Sequence, residues 1–124
     1  MAENFMRPAA PMAAEGLIAT LTGDNFDQLV LRGDGPIAVE FMAYSCGHCA
    51  VLEPALQQAA AQLGAEERIF RVNTVTDQDL AHSFAIDGTP TIVLFLDGNE
   101  VGRAEGPSPD LPALMAELTQ PFKG

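Results

Sequence analysis

Short apolar runs of strand length recur along the chain and predict a series of β-strands. The run at residues 37–43, IAVEFMA, is almost continuously apolar, which is typical of a strand covered on both faces. Glu40 is its single charged residue. Asp97-Gly98 is a strong turn signal for a hairpin whose second strand spans residues 100–105. Three further segments have strand character: residues 16–22, 68–73 and 91–96.

Between these strands, apolar residues recur at helical spacing. The longest such pattern runs from Cys46 to Leu63 and predicts a helix that ends at Gly64. Pro54 lies inside this helix and should kink it, because the proline ring removes one backbone donor and clashes with the preceding turn. Shorter helices are predicted in three places: after Asn25, across residues 77–85, and from Pro109 onward.

The resulting order is β-α-β-α-β-α-β-β-α, which predicts a single α/β domain. Alternating strands and helices imply parallel strand pairs with right-handed crossovers, while the closing hairpin adds antiparallel strands at one edge. A chain of 124 residues has room for one such domain. We assign residues 17–124 to this domain and residues 1–16, which are rich in Ala, Met and Pro, to a flexible N-terminal tail.

The chain is strongly acidic, with 17 Asp and Glu residues against 6 Lys and Arg residues and a formal net charge of -11. Such a charge repels phosphate backbones and anionic lipid headgroups, so we expect neither nucleic acid nor a membrane surface as a partner. The simplest interpretation of the acidity is solubility, and the alternative is a preference for basic partner proteins. Residues 1–16 have no apolar run that fits a cleaved export signal, and no stretch is long enough for a membrane span. We expect a cytoplasmic monomer.

The two cysteines, Cys46 and Cys49, are three positions apart at the predicted start of the long helix. A disulfide across so short a loop removes little unfolded-state entropy, so the pair is poorly suited to a structural role. At a helix start, unpaired amide donors and the helix dipole stabilise a thiolate and lower its pKa. Cys46 is therefore the candidate nucleophile. Cys49, one turn further in on the apolar stripe, is suited to attack a mixed disulfide from inside.

Metal binding is the alternative chemistry for two neighbouring thiols. A zinc site normally needs four ligands, and only His48 and His82 remain as further candidate donors. Redox chemistry is therefore favoured over a metal site. His82, far along the chain in a polar segment, is interpreted as a surface or packing residue.

Several motifs occur together, and their combination is more specific than any one of them. They are Tyr44-Ser-Cys-Gly-His-Cys49 after a buried strand, Pro54 in the following helix, Gly88-Thr89-Pro90 before a strand, and Asp97-Gly98. Over about residues 17–120 the chain resembles thioredoxins and the catalytic domains of protein disulfide isomerases. The resemblance implies a thioredoxin-like fold, a central mixed sheet flanked by helices, with Cys46 as the attacking thiol and Cys49 as the resolving thiol.

The resemblance also assigns the substrate-binding residues. Pro90 should follow a cis peptide bond and lie beside the cysteines, and Thr89 should offer backbone hydrogen bonds to a substrate strand. Gly106, at the end of the last hairpin strand, matches a small residue that lets the substrate backbone approach. Gly47, between the cysteines, completes the expected substrate-binding set.

The chain also departs from the thioredoxin pattern. It has no Trp, and Met42 and Ser45 stand where thioredoxins usually carry Trp, so the substrate surface is altered. The dipeptide between the cysteines is Gly-His, as in disulfide isomerases, rather than the Gly-Pro of thioredoxins. His48 beside the thiolate adds positive charge or a hydrogen bond, which favours the reduced form and makes the disulfide a better oxidant. The alternative is that His48 is a solvated residue with no tuning role.

Glu40 is unusual because an unpaired charge in a strand buried on both faces is costly. The family has a buried Asp here that shuttles a proton for the resolving cysteine, so the resemblance implies that Glu40 is a proton relay for Cys49. Arg71, on the next strand where the family has Lys, is a candidate ion-pair partner. A purely structural ion pair between Glu40 and Arg71 is the alternative interpretation.

Together these residues predict a thiol-disulfide oxidoreductase that reduces protein disulfides through a mixed disulfide on Cys46. The expected catalytic residues are Cys46, Cys49, His48 and Glu40, with no bound cofactor and no metal. Electrons would come from a thioredoxin reductase or another thiol donor. The direction of electron flow depends on the redox poise of the compartment, which leaves an isomerase-like or oxidase-like role open. The alternative from another class is a thioredoxin-like binding module that recognises one partner with little redox turnover.

Overall fold

Five strands form one mixed sheet within residues 16–123, the part of the chain that the computed structural model describes. In chain order the strands are β1 (Ala19–Leu21), β2 (Pro36–Met42), β3 (Arg68–Asn73), β4 (Thr91–Leu96) and β5 (Asn99–Glu105). The α-helices are α1 (Gly23–Phe26), α2 (Gly47–Leu63), α3 (Gln78–Ser83) and α4 (Leu111–Lys123). A wider, π-type turn at Asp27–Leu31 continues α1. The elements follow the predicted order.

The spatial order of the strands is β1-β3-β2-β4-β5. β3 runs parallel to both β1 and β2, while β4 is antiparallel to β2 and β5 is antiparallel to β4. Asp97 and Gly98 both have positive φ, 51° and 86°, as a tight hairpin turn between β4 and β5 requires. The predicted mixed sheet, with its parallel pairs and its hairpin edge, is therefore confirmed.

Helices cover both faces of the sheet, which explains why the central strands are apolar on both sides. On one face α2 and α4 pack against the sheet through four leucines: Leu52, Leu56, Leu114 and Leu118. On the other face, where α1 and α3 lie, aromatic rings meet: Phe26, Phe41, Phe84 and Phe95. Every residue of β2 from Ile37 to Met42 is buried, including Glu40. The strand that leads to the cysteines is thus held in the centre of the core.

β1 is shorter than the predicted strand at residues 16–22. Gly16 has a positive φ of 50°, and the Leu17 amide donates to Gln57 Oε1 of α2 at 2.9 Å. The first residues of the segment are therefore tied to a helix instead of to β3. Thr22 ends the strand because its side chain caps α1.

The helix boundaries agree with the pattern more closely for α2 than for α3. α2 runs unbroken past Pro54 and has Gly64 as its C-cap, while the expected kink stays a prediction. α3 ends at Ser83, two residues before the predicted end, because Ala85 adopts a left-handed φ of 53° that cannot continue a helix.

The predicted tail, residues 1–16, lies outside the described residues except for Gly16. The division into a tail and a domain stays a prediction. None of the helices within residues 16–123 has the length and apolar character that crossing a bilayer demands.

Candidate active site

Cys46 lies between the end of β2 and the start of α2. The strand ends at Met42, and the Cys46 amide donates to the Ala43 carbonyl oxygen at 3.0 Å, which closes the turn into the helix. Cys46 is the N-cap residue of α2, and its Sγ accepts a hydrogen bond from the Cys49 amide at 3.1 Å. The sulfur therefore lies among the unpaired N–H groups at the positive end of the helix dipole.

The two thiols differ in exposure and in the direction in which their pKa values move. Cys46 is half-buried, whereas Cys49 has only 4% of its surface exposed. Burial alone would raise the pKa of Cys46, but hydrogen bonds with the side chains of Cys49 and Thr89 and with the backbone of Cys49 and His48 outweigh it, so the pKa of Cys46 is lowered. Burial, reinforced by the hydrogen bond to Cys46, raises the pKa of Cys49 to about 11. Cys46 is thus the thiol that ionises first.

The bond between Thr89 and Pro90 is cis, as expected, and this turn lies against the cysteines. The Cys46 thiol donates to the Thr89 carbonyl oxygen at 3.4 Å. The Gly106 amide donates to the Pro90 carbonyl oxygen at 2.9 Å and brings the end of β5 to the same turn. The structure therefore brings together Cys46 and three residues of the expected substrate-binding set.

Gly47 and His48 are exposed at the start of α2. His48 Nε2 lies 3.3 Å from the Pro107 carbonyl oxygen, an acceptor for the ring when that nitrogen carries a proton. Space alone would allow a side chain at Gly106, since a Cβ there would lie 3.7 Å from His48 Cε1, an ordinary contact. The φ of 63° at this position nevertheless favours glycine. The start of α2 and the segment after β5 therefore meet on one surface.

A cavity of about 240 Å³ lies beside Cys49. Its walls come from the end of β2, the loop that follows, α2 and β3, and they consist of Met42, Ala43, Tyr44, Cys49, Ala50, Glu53 and Arg71. Met42 stands where the thioredoxin pattern has Trp, so this wall carries a narrower side chain than an indole. The buried thiol of Cys49 and the charged side chains of Glu53 and Arg71 therefore line the same cavity.

Glu40 is fully buried in β2, opposite Arg71 in the parallel register of β2 and β3. Its Oε1 lies 3.8 Å from Arg71 Nε, close enough for charge attraction but too far for a hydrogen bond. Neither oxygen of the Glu40 carboxyl group has a hydrogen-bond partner within residues 16–123. Burial raises the pKa of Glu40 to about 7, an effect that Arg71 opposes and Glu53 reinforces. This carboxyl group can therefore gain and lose a proton near neutral pH.

Sequence reasoning missed Glu53, which binds the guanidinium of Arg71. Arg71 Nη2 donates to both carboxylate oxygens of Glu53, at 2.9 and 2.8 Å. Gln57 Nε2 donates to Glu53 Oε2 at 2.7 Å. Glu53 follows Cys49 by four positions on α2, so the two side chains share one face of the helix. The signal that the sequence offered for Glu53 was an acidic residue four positions after the second cysteine.

Residues 16–123 contain no group of three or more Cys, His, Asp and Glu side chains arranged to hold a metal ion. His82 is exposed on α3, and the structure does not bring it into a ligand group with Cys46 and Cys49.

Similarity to known proteins agrees with this geometry. The thioredoxin family model matches residues 17–119. Thioredoxin of Pseudomonas aeruginosa is 34% identical over 82 residues, which cover 66% of this chain and 76% of that protein. A protein disulfide-isomerase A6 homolog of Caenorhabditis elegans is 39% identical over 88 residues, and a protein disulfide-isomerase of Gallus gallus is 37% identical over 100 residues.

These two alignments cover 71% and 78% of this chain, but the chain spans only 20% and 19% of the length of those relatives. The family match covers most of the chain and includes both cysteines and the cis proline. The chain therefore belongs to the thioredoxin family and is a thiol-disulfide oxidoreductase.

Proposed function

We propose that this protein reduces disulfide bonds in protein substrates, with Cys46 as the attacking thiol and Cys49 as the resolving thiol. The observation that carries the proposal is the position of Cys46 Sγ. It accepts the Cys49 amide at 3.1 Å and lies 3.4 Å from the Thr89 carbonyl oxygen. The first contact stabilises a thiolate, and the second places it beside the turn where a substrate strand is expected.

In the first step the Cys46 thiolate attacks one sulfur of the substrate disulfide. A mixed disulfide forms between Cys46 and the substrate, and the other substrate sulfur leaves as a thiolate. The lowered pKa of Cys46 makes the attacking thiolate available near neutral pH.

In the second step Cys49 breaks the mixed disulfide. Its pKa is raised to about 11, so its thiol needs a base in order to react near neutral pH. Glu40, with a pKa raised to about 7, is the group that accepts this proton in the proposed reaction. Arg71, whose Nε lies 3.8 Å from Glu40 Oε1, lines the cavity beside Cys49. The Cys49 sulfur bonds to the Cys46 sulfur, and the substrate leaves as a thiolate. Two electrons have then passed from the dithiol to the substrate.

The substrate strand is proposed to lie along the Thr89-Pro90 turn. Thr89 presents its backbone beside Cys46, and Gly106 offers no side chain that would block a main chain from approaching Pro90. Apart from its chain neighbours and the backbone of its own helix, Gly47 has no atom within 4 Å of the place where a Cβ would stand, so its side of the motif is open. A substrate sulfur can reach Cys46 from this side.

The proposal includes a cytoplasmic location, a monomeric state, and a thioredoxin reductase or another thiol donor as the source of electrons. A reductive direction fits a compartment that keeps thiols reduced. No bound cofactor takes part in the proposed reaction, because every bond that forms or breaks is either a bond between two sulfur atoms or a bond to a transferred proton.

Disulfide isomerisation is the second candidate, and the Gly-His pair between the cysteines favours it. A histidine beside the Cys46 thiolate stabilises the reduced form and makes the disulfide more oxidising. Two similar proteins carry the name protein disulfide-isomerase. In this role the direction of exchange would depend on the substrate and the surrounding redox buffer.

The test is reduction of insulin disulfides by the full chain, with and without a thioredoxin reductase, and with Cys46→Ser as the inactive control. We expect turnover with the reductase and none in the control. Turnover that needs a glutathione buffer and a scrambled disulfide substrate would favour the isomerase. Absence of turnover with every donor would contradict both and favour a partner-binding module.

A further inference from the structure

Arg71 lies between the carboxyl groups of Glu40 and Glu53, but it engages them differently. Its Nη2 donates to both oxygens of Glu53 at 2.9 and 2.8 Å, whereas its Nε lies 3.8 Å from Glu40 Oε1. The Arg71 side chain is only 1% exposed, so solvent screens these charges weakly. The hydrogen-bonding end of the guanidinium is therefore directed to Glu53 on α2.

Glu53 is itself held in place by its own helix. Gln57 Nε2 donates to Glu53 Oε2 at 2.7 Å, and Gln57 Oε1 accepts the Leu17 amide at 2.9 Å. The segment before β1 thus fixes Gln57, and Gln57 fixes Glu53. The Glu53 side chain is 26% exposed, so its replacement opens no cavity in the core.

We propose that Glu53 is a positioning residue for the resolving step: it holds the Arg71 guanidinium away from Glu40, so that this carboxylate stays available to accept the proton of the resolving thiol. The inference rests on the proposed function, because it concerns the second step of that reaction. A cation hydrogen-bonded to a carboxylate stabilises the ionised form and makes it a weaker base. The pKa of Glu40, raised to about 7 by burial, is lowered by Arg71 and raised by Glu53, in agreement with the geometry.

The charged and titratable groups around Glu40 come from two elements and one loop. Arg71 faces it from β3, and Glu53 acts on it from α2, the helix that also carries Cys49. Tyr44, in the loop between β2 and α2, hydrogen-bonds with Arg71. The other elements on this face of the sheet contribute apolar side chains: Ile92 from β4, and Leu114 and Leu118 from α4. Arg71 is therefore the cation whose position matters most to Glu40.

The step consists of a proton transfer and a thiol-disulfide exchange. The Cys49 thiol gives its proton to a Glu40 oxygen, and its sulfur bonds to the sulfur of Cys46. The bond from Cys46 to the substrate breaks, and the substrate sulfur leaves with the electron pair. If Arg71 were hydrogen-bonded to Glu40, the carboxylate would be a weaker base and this transfer would slow.

The test compares Glu53→Ala and Glu53→Gln with Glu66→Gln, a control that removes one exposed acidic charge elsewhere. NMR titration gives the midpoint of the Glu40 carboxyl group, and single-turnover kinetics give the pH profile of mixed-disulfide release. Glu53→Ala releases Arg71 to pair with Glu40 and should lower the midpoint by about 1–3 pH units. Glu53→Gln keeps an acceptor oxygen for Arg71 but loses the charge, so a smaller downward shift is expected. Glu66→Gln should leave the midpoint unchanged.

Support requires that the acidic limb of the release profile moves down together with the Glu40 midpoint. A midpoint that is unchanged or higher in Glu53→Ala overturns the inference, and so does a lowered midpoint with an unchanged release profile. Failure of the proposed function is a different result, in which the parent protein reduces no disulfide at any pH. The titration needs no turnover: in that case too, a larger downward shift in Glu53→Ala than in Glu53→Gln supports the inference that Glu53 holds Arg71 away from Glu40, and equal shifts contradict it.

Discussion

Two buried glutamates at opposite ends of the sheet have similar pKa values but different surroundings. Glu40 is fully buried at the cysteine end, and Glu67, 4% exposed, precedes β3 at the other end. Burial raises the pKa of each to about 7. Glu40 faces Arg71, and Glu53 binds the guanidinium of Arg71. Arg71 and Glu53 both line the cavity beside Cys49. The pKa of Glu67, by contrast, is shifted by burial alone.

The difference shows that a raised carboxyl pKa does not by itself mark a functional group. Within residues 16–123 no thiol lies beside Glu67 and burial alone shifts its pKa, so the main consequence of the raised pKa is a cost in stability. Glu40 combines the same pKa with a neighbouring cation, Arg71, which lines the cavity beside the buried thiol of Cys49. The same Glu→Gln substitution should therefore change kinetics at Glu40 and stability at Glu67.

The largest expected effect comes from removing Arg71, the buried cation at the cysteine end. Arg71→Gln leaves Glu40 and Glu53 without their cationic partner and should lower the free energy of unfolding at pH 8 by about 3–5 kcal/mol. Arg68→Gln, at the exposed end of β3 next to Glu67, should change it by no more than about 0.5 kcal/mol. Urea denaturation measures both. Equal losses would remove the distinction between the two ends.

The next effect is kinetic. Glu40→Gln should slow release of the mixed disulfide about 10²-fold near neutral pH, because the resolving thiol loses its base. The first attack by Cys46 should keep its rate. Glu67→Gln is the matched control and should leave both steps unchanged, as single-turnover kinetics with a disulfide substrate would show. Equal release rates in the two variants and the parent would leave Glu40 as a structural partner of Arg71.

A smaller effect concerns stability at the far end. The pKa of Glu67 rises from 4.5 in the unfolded chain to about 7 in the fold, so the folded state binds more protons between these values. Stability therefore falls as the pH rises from about 4.5 to 7. Glu67→Gln removes this loss and should add about 2–3 kcal/mol to the free energy of unfolding at pH 8. Thermal unfolding at pH 4 and pH 8 is the measurement, and an equal gain at both would contradict the assignment.

The smallest expected effect lies at the start of α2. The His48 amide is among the hydrogen-bonding groups that lower the pKa of Cys46. His48→Pro removes this N–H and should raise the pKa of Cys46 by less than about one unit, and so lower the reduction potential. His48→Ala keeps the amide and tests the imidazole alone. The pH dependence of alkylation at Cys46 reports both, and equal shifts would assign the tuning to the side chain.

Local patterns predict most of this fold. β3 and β4 begin and end at the predicted residues, because each is rich in β-branched and aromatic residues that favour a strand. The predicted strand at residues 16–22 is the main exception: β1, an edge strand, begins only at Ala19, and Leu17 before it is bonded to Gln57 of α2 by a contact that no local pattern encodes.

The active site, like the fold, is predicted by local patterns only in part. The short spacing between Cys46 and Cys49, followed by a helical pattern, predicts the position of the sulfur at the helix start. Its spacing from Cys49 places Glu53 on the same face of α2, but spacing does not reveal its partner, because Arg71 is 18 residues away on a strand. Their contact depends on how α2 packs against β3, which is a property of the assembled fold.

The most direct measurement of the central claim is mass spectrometry of Cys49→Ser after mixing with a disulfide-bonded peptide. Without the resolving thiol, the peptide should stay attached to Cys46 as a stable mixed disulfide. The companion variant Cys46→Ser should form little adduct, because the pKa of Cys49 is raised to about 11. Absence of an adduct on Cys46, or equal adducts on the two cysteines, would contradict the account.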